Sequence, residues 1–356
     1  PDEKAVNKYE VVISEEQGVH TVRIYYRVKS GDLGSRFAFR VSNILLLRYI
    51  RFLVACRKGF RVLREFHPDL IHVHVLTRHA VVAWLRKTCS GTPYVITEHW
   101  SRYLPQNNTY KGFFRKMFTR MAVRGASAVV AVSPALKEAM QETGLDHRNF
   151  RVIPNPVETG KFRILESSRE KKGSTKKILH VSCFDDRSKN ISGFLRVLQG
   201  LSAGGAGFIC RLVGEGPDLE PMKELAGQLG LSGERVVFAG LKEGEELVGE
   251  YNEADFMVLS SHYETFGTVV IESLACGTPV VATRTGIVAD VITEQNGIIV
   301  DPGNEEELQA AILRMLDQCG EYDREKIREA VVERFSMENI AGELTDLYGS
   351  VLNKKH

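Results

Sequence analysis

No two cysteines in this 356-residue sequence stand in a C-x-x-C spacing, and the six present (Cys56, Cys89, Cys183, Cys210, Cys276 and Cys319) are scattered through apolar or strand-like stretches. That argues against a zinc site and reads as reduced, buried thiols in a cytosolic chain. No apolar run reaches the roughly 18 residues that cross a bilayer. The nearest candidate, "ILLLRYIRFLVACRKGF", is interrupted by Arg48, Arg51, Arg57 and Lys58. A signal peptide is lacking too, although the chain opens at Pro1 without a methionine, so its natural N-terminus is expected to be missing. Internal repeats, low-complexity tracts and an Asp-x-Asp pair are likewise not found.

What is present is the composition of a globular enzyme, 43% hydrophobic and 26% charged. The length suits about two domains of roughly 150 residues each. A net charge of +2 hides an asymmetry: residues 1–157 hold 25 Lys and Arg against 12 Asp and Glu, residues 158–356 hold 22 against 33. Halves of opposite sign predict two domains with different partners.

Short runs rich in Val and Ile recur at 69–75, 93–99, 127–133, 177–184, 208–216, 235–241, 254–261, 278–283 and 297–300. Such runs predict strands buried on both faces of a parallel sheet. Helical stretches lie between them. "SPALKEAMQETG" (133–144) carries an N-cap serine, a proline at the first helical position and Gly144 at its end, and 216–230 reads similarly. The alternation occurs twice, which predicts two doubly wound α/β domains. Prolines and a glycine in "IPNPVETGKF" (153–162) mark the boundary, the polar 165–177 is read as a loop, and 335–354 as an amphipathic helix returning to the first domain.

"SHYETFGTVVIESLACGTPVV" (261–281) holds Glu264 and Glu272 eight positions apart around Phe266 and Gly267. Ligands of open α/β sheets sit beyond the carboxyl ends of strands, where the stretch following 254–261 falls. Backbone amides of Phe266, Gly267, Thr268 and Val269 would make a helix start suited to phosphate, and Glu272 could accept hydrogen bonds from two ribose hydroxyls. Spacing alone leaves equally open a Glu264 that caps the helix and a Glu272 on the surface.

Taken together, E-x-F-G-x-x-x-x-E (264–272), S-L-A-C-G-T-P-V-V-A-T (273–283), "VGEGP" (213–217), "VFAG" (237–240), "VIPNPV" (152–157) and "VSP" (132–134) make the chain resemble the retaining glycosyltransferases of family 4, also called glycosyl transferases group 1. The likeness runs from about residue 66 to the end. It implies an α/β GT-B fold, two facing Rossmann-like doubly wound domains with a cleft between them: 1–157 for the acceptor, 158–337 for the nucleotide sugar, and 338–356 as a helix crossing back. The family roles fall on Glu264 for hydroxyls of the donor sugar, Glu272 for the ribose, Phe266, Gly267, Thr268 and Val269 for the diphosphate, Gly214 in the donor-binding turn, and His99 facing the donor sugar.

Two departures stand out. The family's Gly-Arg after the first strand of the second domain is replaced by Ser182 and Cys183. Lys189 matches the family's lysine, and Arg187 is the candidate for the missing charge, though both also read as ordinary loop cations. The family's first strand and glycine-rich loop are not recognisable in residues 1–35, where "YEVVISEEQGVHTVRIYY" looks like a later strand or a hairpin of the first domain.

His72, His74 and His79 invite a metal reading, but His72 and His74 share one face of a buried strand with no paired carboxylate, and the three are read as structural or cleft-lining. "VGEGP" lacks the third glycine and the spaced acid of a dinucleotide fingerprint, which disfavours an oxidoreductase. Residues 33–124 hold 17 Lys and Arg but only Glu65, Asp69 and Glu98. Within them 111–124 projects as a helix with Phe114, Met117, Phe118 and Met121 on one side and Arg115, Lys116, Arg120 and Arg124 on the other, which fits either an anionic membrane surface or packing on its own domain. No nucleic-acid motif accompanies the charge.

The expectation is a metal-independent, retaining glycosyltransferase with no cofactor, moving a sugar from a nucleotide diphosphate to a glycan or lipid-phosphate-linked acceptor in cell-surface polysaccharide synthesis. It would work in the cytoplasm, with peripheral contact at the inner face of the membrane. A sugar phosphorylase or nucleotide-sugar epimerase of the same fold is the enzymatic alternative. A nucleotide-sugar-binding, membrane-docking subunit without catalysis is the other.

Overall fold

The structure is a computed structural model and describes residues 9–16, 18–26, 52, 54–58, 67–166, 175–231, 233 and 235–353. Most of the 165–177 loop and much of the basic stretch before residue 67 lie outside the described residues, as does much of 1–35. The chain divides into two compact units, Pro1–Asp69 and Leu70–His356. In the first, β1 (Tyr9–Glu16) and β2 (Val19–Tyr26) pair antiparallel in a sheet of their own. Gly18 at φ 78° makes the tight turn between them. This is the hairpin alternative for the "YEVVISEEQGVHTVRIYY" stretch.

The second unit holds two parallel sheets. One runs in the order β3 (Ile71–His74), β4 (Tyr94–Glu98), β5 (Ala128–Ala131), β6 (Phe150–Val152). The strand β6 was not anticipated from the sequence, since three residues are too short to show a pattern. Helices α1 (Arg78–Ser90), α2 (Phe113–Gly125) and α3 (Pro134–Glu142) connect the strands. Ser133 caps α3 by accepting from Leu136 N, with Pro134 in the first turn, as the sequence predicts.

The other sheet comprises β7 (Lys176–Val181), β8 (Phe208–Val213), β9 (Val236–Gly240), β10 (Phe256–Leu259), β11 (Val280–Thr283) and β12 (Gly297–Val300). Its spatial order is β12-β11-β10-β7-β8-β9. The chain thus winds outward from β7 to β9, then returns to the other side of β7 with β10, which is the doubly wound arrangement. Strands β10 and β11 are fully buried, as their uninterrupted apolar runs require. The connecting helices include α4 (Asp186–Lys189), α5 (Ile191–Ala203), α6 (Leu219–Gln228), α7 (Gly244–Glu253) and α8 (Thr268–Ala275). Phe194, Leu198, Phe208, Phe256 and Ile312 belong to one buried cluster on this sheet.

One local reading changes. Helix α6 starts at Leu219 without a side-chain cap, because Asp218 Oδ2 accepts from Asp186 N instead. The C-terminal α9 (Met337–Leu352) lays Ile340, Leu347 and Val351 in a cluster with Val95 of β4, Ala128 and Val130 of β5, and Ile153 just after β6. No helix among the described residues is long and apolar enough to cross a membrane.

Candidate active site

Strands β7 and β10 are neighbours that lead into connections running opposite ways, so the loops leaving their carboxyl ends open a crevice at the switch point of the sheet. Lys189 comes from the first loop, as the last residue of α4, just before Asn190 turns the chain at φ 52°. Glu264 comes from the second. Lys189 Nζ lies 2.5 Å from Glu264 Oε1, and the two side chains are only 15% and 11% exposed. Ser261 Oγ donates to the same carboxylate oxygen at 2.8 Å. The loops are also laced through their backbones, with Ser260 Oγ on Lys189 O and His262 N on Ser188 O. Sequence motifs bring neither loop to the other; strand order does.

Beyond Glu264 the chain passes Phe266 and enters α8 at Thr268, two residues later than the sequence reading placed the helix start. Gly267, at φ 95°, is the capping position and has no side chain to cap with; Glu264 does not cap the helix. Phe266 is buried, and its carbonyl accepts from Ile287 N. The approach is close enough that a Cβ on Gly286 would meet that carbonyl at 2.4 Å. Thr268 and Val269 are the first helical residues, so the amides expected at 266–269 span the approach to the helix, its capping position and its first two residues. Four residues on, Glu272 is no surface glutamate. Tyr251 Oη donates to its Oε2 at 2.8 Å, and burial raises its carboxyl above the ordinary range, against the lowering effects of Tyr251 and Lys161.

Gly214 and Gly216 are glycines because the ends of β7 and β8 press together. A Cβ on Gly214 would lie 1.9 Å from Ser182 O, and one on Gly216 2.5 Å from Phe184 N. Gly214 has φ 135°, which L side chains rarely adopt. Arg187 reaches away from the sheet, with Nη2 donating to Asn107 O of the loop after β4 at 3.3 Å. It therefore bridges the two sheets' loops and is not seen against Glu264.

His99 follows β4. Its Nε2 is 3.1 Å from His74 Nδ1, with the rings stacked, and Asn155 also hydrogen-bonds it. The rings of His74 and His72 lie 4.2 Å apart, and His72 is held between Tyr348 Oη and Thr97 Oγ1. Burial first, then the neighbouring imidazoles, pushes His72 down to about 4, and burial lowers His74 and His99 as well. His74 is exposed and His72 half-buried on strand β3, the edge of the described four-stranded sheet, which corrects the buried-strand reading. His79 bonds Thr77 instead.

The residue that sequence reasoning missed is Glu98. It is wholly buried and accepts from Leu76 N, His99 N, Trp100 N and Tyr103 Oη, tying the loops after β3 and β4 into one frame around His99. A charged residue closing the apolar run "YVITE" was the available signal. Ser133 is a second omission: its hydroxyl caps α3 and also donates to Thr265 O, next to Glu264.

Helix α2 is not the one-sided stripe anticipated. Thr119, Ala122 and Val123 form its packed face with Phe118 and Met121 half-buried, whereas Phe113 and Phe114 are 76% and 69% exposed beside Met117.

Two facing Rossmann-like sheets with loops converging at a switch point define a GT-B protein, and comparison with known proteins agrees. Residues 15–161 match Glycosyltransferase Family 4 and residues 162–333 match Glycosyl transferases group 1. An uncharacterized glycosyltransferase of Methanocaldococcus jannaschii is 30% identical over 296 residues, 79% of this chain and 75% of its own. Among solved structures, sucrose-phosphate synthase from Thermosynechococcus elongatus superposes with a TM-score of 0.77 at 23% identity, covering 97% of this chain and 86% of that one. HepE of Anabaena, in complex with UDP and glucose, superposes at 0.70 and 20% identity over 83% of this chain and 81% of its own. The chain belongs to the GT-B glycosyltransferases of family 4, glycosyl transferases group 1.

Proposed function

We propose that this chain is a retaining glycosyltransferase that moves a sugar from a nucleoside diphosphate to a hydroxyl of a glycan or lipid-linked acceptor, without a metal ion, in polysaccharide synthesis on the cytoplasmic side of a membrane. The observation that carries this reading is the Lys189–Glu264 pair at the switch point, beside the amides of Thr268 and Val269. As the bond from the sugar's anomeric carbon to the β-phosphate oxygen breaks, negative charge grows on the diphosphate. Lys189 and the head of α8 are the donors to meet it, and such fixed dipoles act where charge develops. Arg187, from the same loop, would add a third positive group by leaving Asn107 O and turning toward the diphosphate.

The remaining roles divide by position. Glu264 would hold sugar hydroxyls, oriented by Ser261, and Glu272 the ribose, oriented by Tyr251. His99 would face the sugar from the first domain. Attack by the acceptor hydroxyl on the face the diphosphate leaves, with its proton passing to the departing phosphate oxygen, balances the step and keeps the anomeric configuration. The complex of HepE with UDP and glucose supports a UDP-sugar as the donor class.

Calorimetric titration of UDP, GDP and ADP with EDTA and with magnesium tests the donor and the metal. One nucleotide should bind with equal affinity in both buffers; a strict magnesium requirement would contradict the reading. A product whose anomeric configuration is inverted would end the retaining assignment. A specific observation adds a membrane: Phe113, Phe114 and Met117 protrude from a helix that also carries Arg115, Lys116, Arg120 and Arg124, the combination of an interfacial element.

A further inference from the structure

A cavity of about 400 Å³ opens between the loop after β4 and the loop that carries Glu264, with His99, Arg102, Asn107, Thr109, Arg115 and Thr265 in its wall. Two arginines line it and no acid does. The carboxylates closest in sequence are already engaged: Glu98 by four donors behind His99, Glu264 by Lys189 and Ser261. Neither Arg102 nor Arg115 forms an ion pair among the described residues. Arg115 Nη1 donates to Thr109 O at 3.2 Å.

Arg102 is the telling residue. Its guanidinium stacks 3.7 Å from the centre of the Trp100 ring, which fixes its plane, while its Nε is buried with no hydrogen-bond partner among the described residues. Its Nη groups donate to nothing among the described residues either, and free guanidinium donors at the wall of a cavity suit an acceptor supplied by a ligand. The frame is rigid on its own account, since Glu98 ties down residues 99, 100 and 103, and Asn107 Nδ2 donates to Ser101 Oγ.

We propose that this cavity is the anionic subsite of the acceptor, and that it takes a phosphomonoester on Arg102 and Arg115. A phosphomonoester brings close to two negative charges and three acceptor oxygens, matching two guanidinium groups, whereas a neutral glycan leaves both unmatched. Thr265 joins the cavity to the residue beside Glu264, so an acceptor anchored here presents its hydroxyl on the donor side. The inference rests on the glycosyltransferase reading and narrows its acceptor to phosphate-bearing molecules, either a free ester or a lipid headgroup.

The test is calorimetric titration of the full chain at constant ionic strength and in saturating UDP, with glycerol 3-phosphate, dihexanoyl phosphatidic acid, L-malate and glycerol. UDP binding itself reports separately on the donor reading. Glycerol 3-phosphate should bind and glycerol should not; binding of phosphatidic acid alone assigns the phosphate to a lipid and also supports the subsite. Arg115→Gln and Arg102→Gln should each weaken the phosphate ligand at least tenfold and leave UDP affinity within twofold. Arg115 is exposed, so its variant is informative even if Arg102→Gln disturbs folding. Equal behaviour of glycerol and glycerol 3-phosphate, binding of malate alone, displacement of the phosphate ligand by UDP, or an unchanged affinity in Arg115→Gln would each overturn the assignment.

Discussion

Lys189 and Glu264 stand 75 positions apart in the chain and 2.5 Å apart in space, the Nζ of one on the Oε1 of the other. The contact crosses the switch point of the second sheet, and both side chains are nearly out of water. A buried pair of this kind costs desolvation that its attraction only partly offsets, so stability is a weak reason for it to be there. A diphosphate beside α8 would draw on Lys189 and free Glu264 for sugar hydroxyls.

The two glutamates should therefore separate kinetically. Glu264→Gln is expected to lower turnover by about 100-fold while UDP affinity stays within about threefold, since a charge-assisted hydrogen bond to the sugar is worth roughly 1.5–3 kcal/mol. Glu272→Gln should weaken UDP itself by about tenfold. Calorimetry with UDP alone decides the second half: an unchanged affinity removes Glu272 from the ribose.

Glu98 is predicted to matter for stability as well as for His99. Replacing it with glutamine turns an acceptor oxygen into an amide facing backbone donors, at a cost of about 2–4 kcal/mol. Urea unfolding of Glu98→Gln reads this directly, and a loss below about 0.5 kcal/mol would show that the four hydrogen bonds do not hold the loops.

Stability should fall with acid in a window to which His180 contributes. This imidazole is buried between Val258 O and Ser182 Oγ, and burial, the largest cause, lowers it from 6.5 to about 4, with Lys189 nearby adding to the lowering. Its folded value lies below its unfolded one. The neutral ring therefore contributes its full stability above pH 6.5, and that contribution drains away as pH falls toward 4, where the unfolded chain binds the extra proton first. The ceiling is roughly 3 kcal/mol. Melting temperatures at pH 7 and pH 5 should differ less in His180→Gln than in the parent; an equal difference would assign the acid sensitivity elsewhere.

The protruding aromatics on α2 make a separate prediction. Co-sedimentation with anionic vesicles should be strong at low salt, weaker as the screening length shortens, and reduced several-fold in Phe113→Ser/Phe114→Ser. Neutral vesicles should bind less. Equal binding to both kinds, or none to either, would leave these residues without a membrane role.

Much of this architecture is written locally in the chain. The Val and Ile runs at β4, β5, β10 and β11 are strands covered on both faces, and Ser133-Pro134 marks a helix start through its own side chain and ring. The E-x-F-G-x-x-x-x-E spacing likewise sets Gly267 at the turn and Glu272 on the helix, because both depend on residues within one segment. The short β6 had too few residues to show a period, and the start of α8 moved by two residues because Phe266 is drawn into the core and its carbonyl into a bond with Ile287. Neighbourhood was the part no local pattern carries. That β10 lies beside β7 follows from how six strands share one sheet, and only this brings Lys189 to Glu264. That Arg187 turns to Asn107, that Glu98 gathers four donors, and that Phe113 and Phe114 face outward while Ala122 and Val123 face inward are likewise long-range outcomes. Each depends on which surfaces remain after the sheets and helices have covered one another, a competition among residues that the chain order keeps far apart.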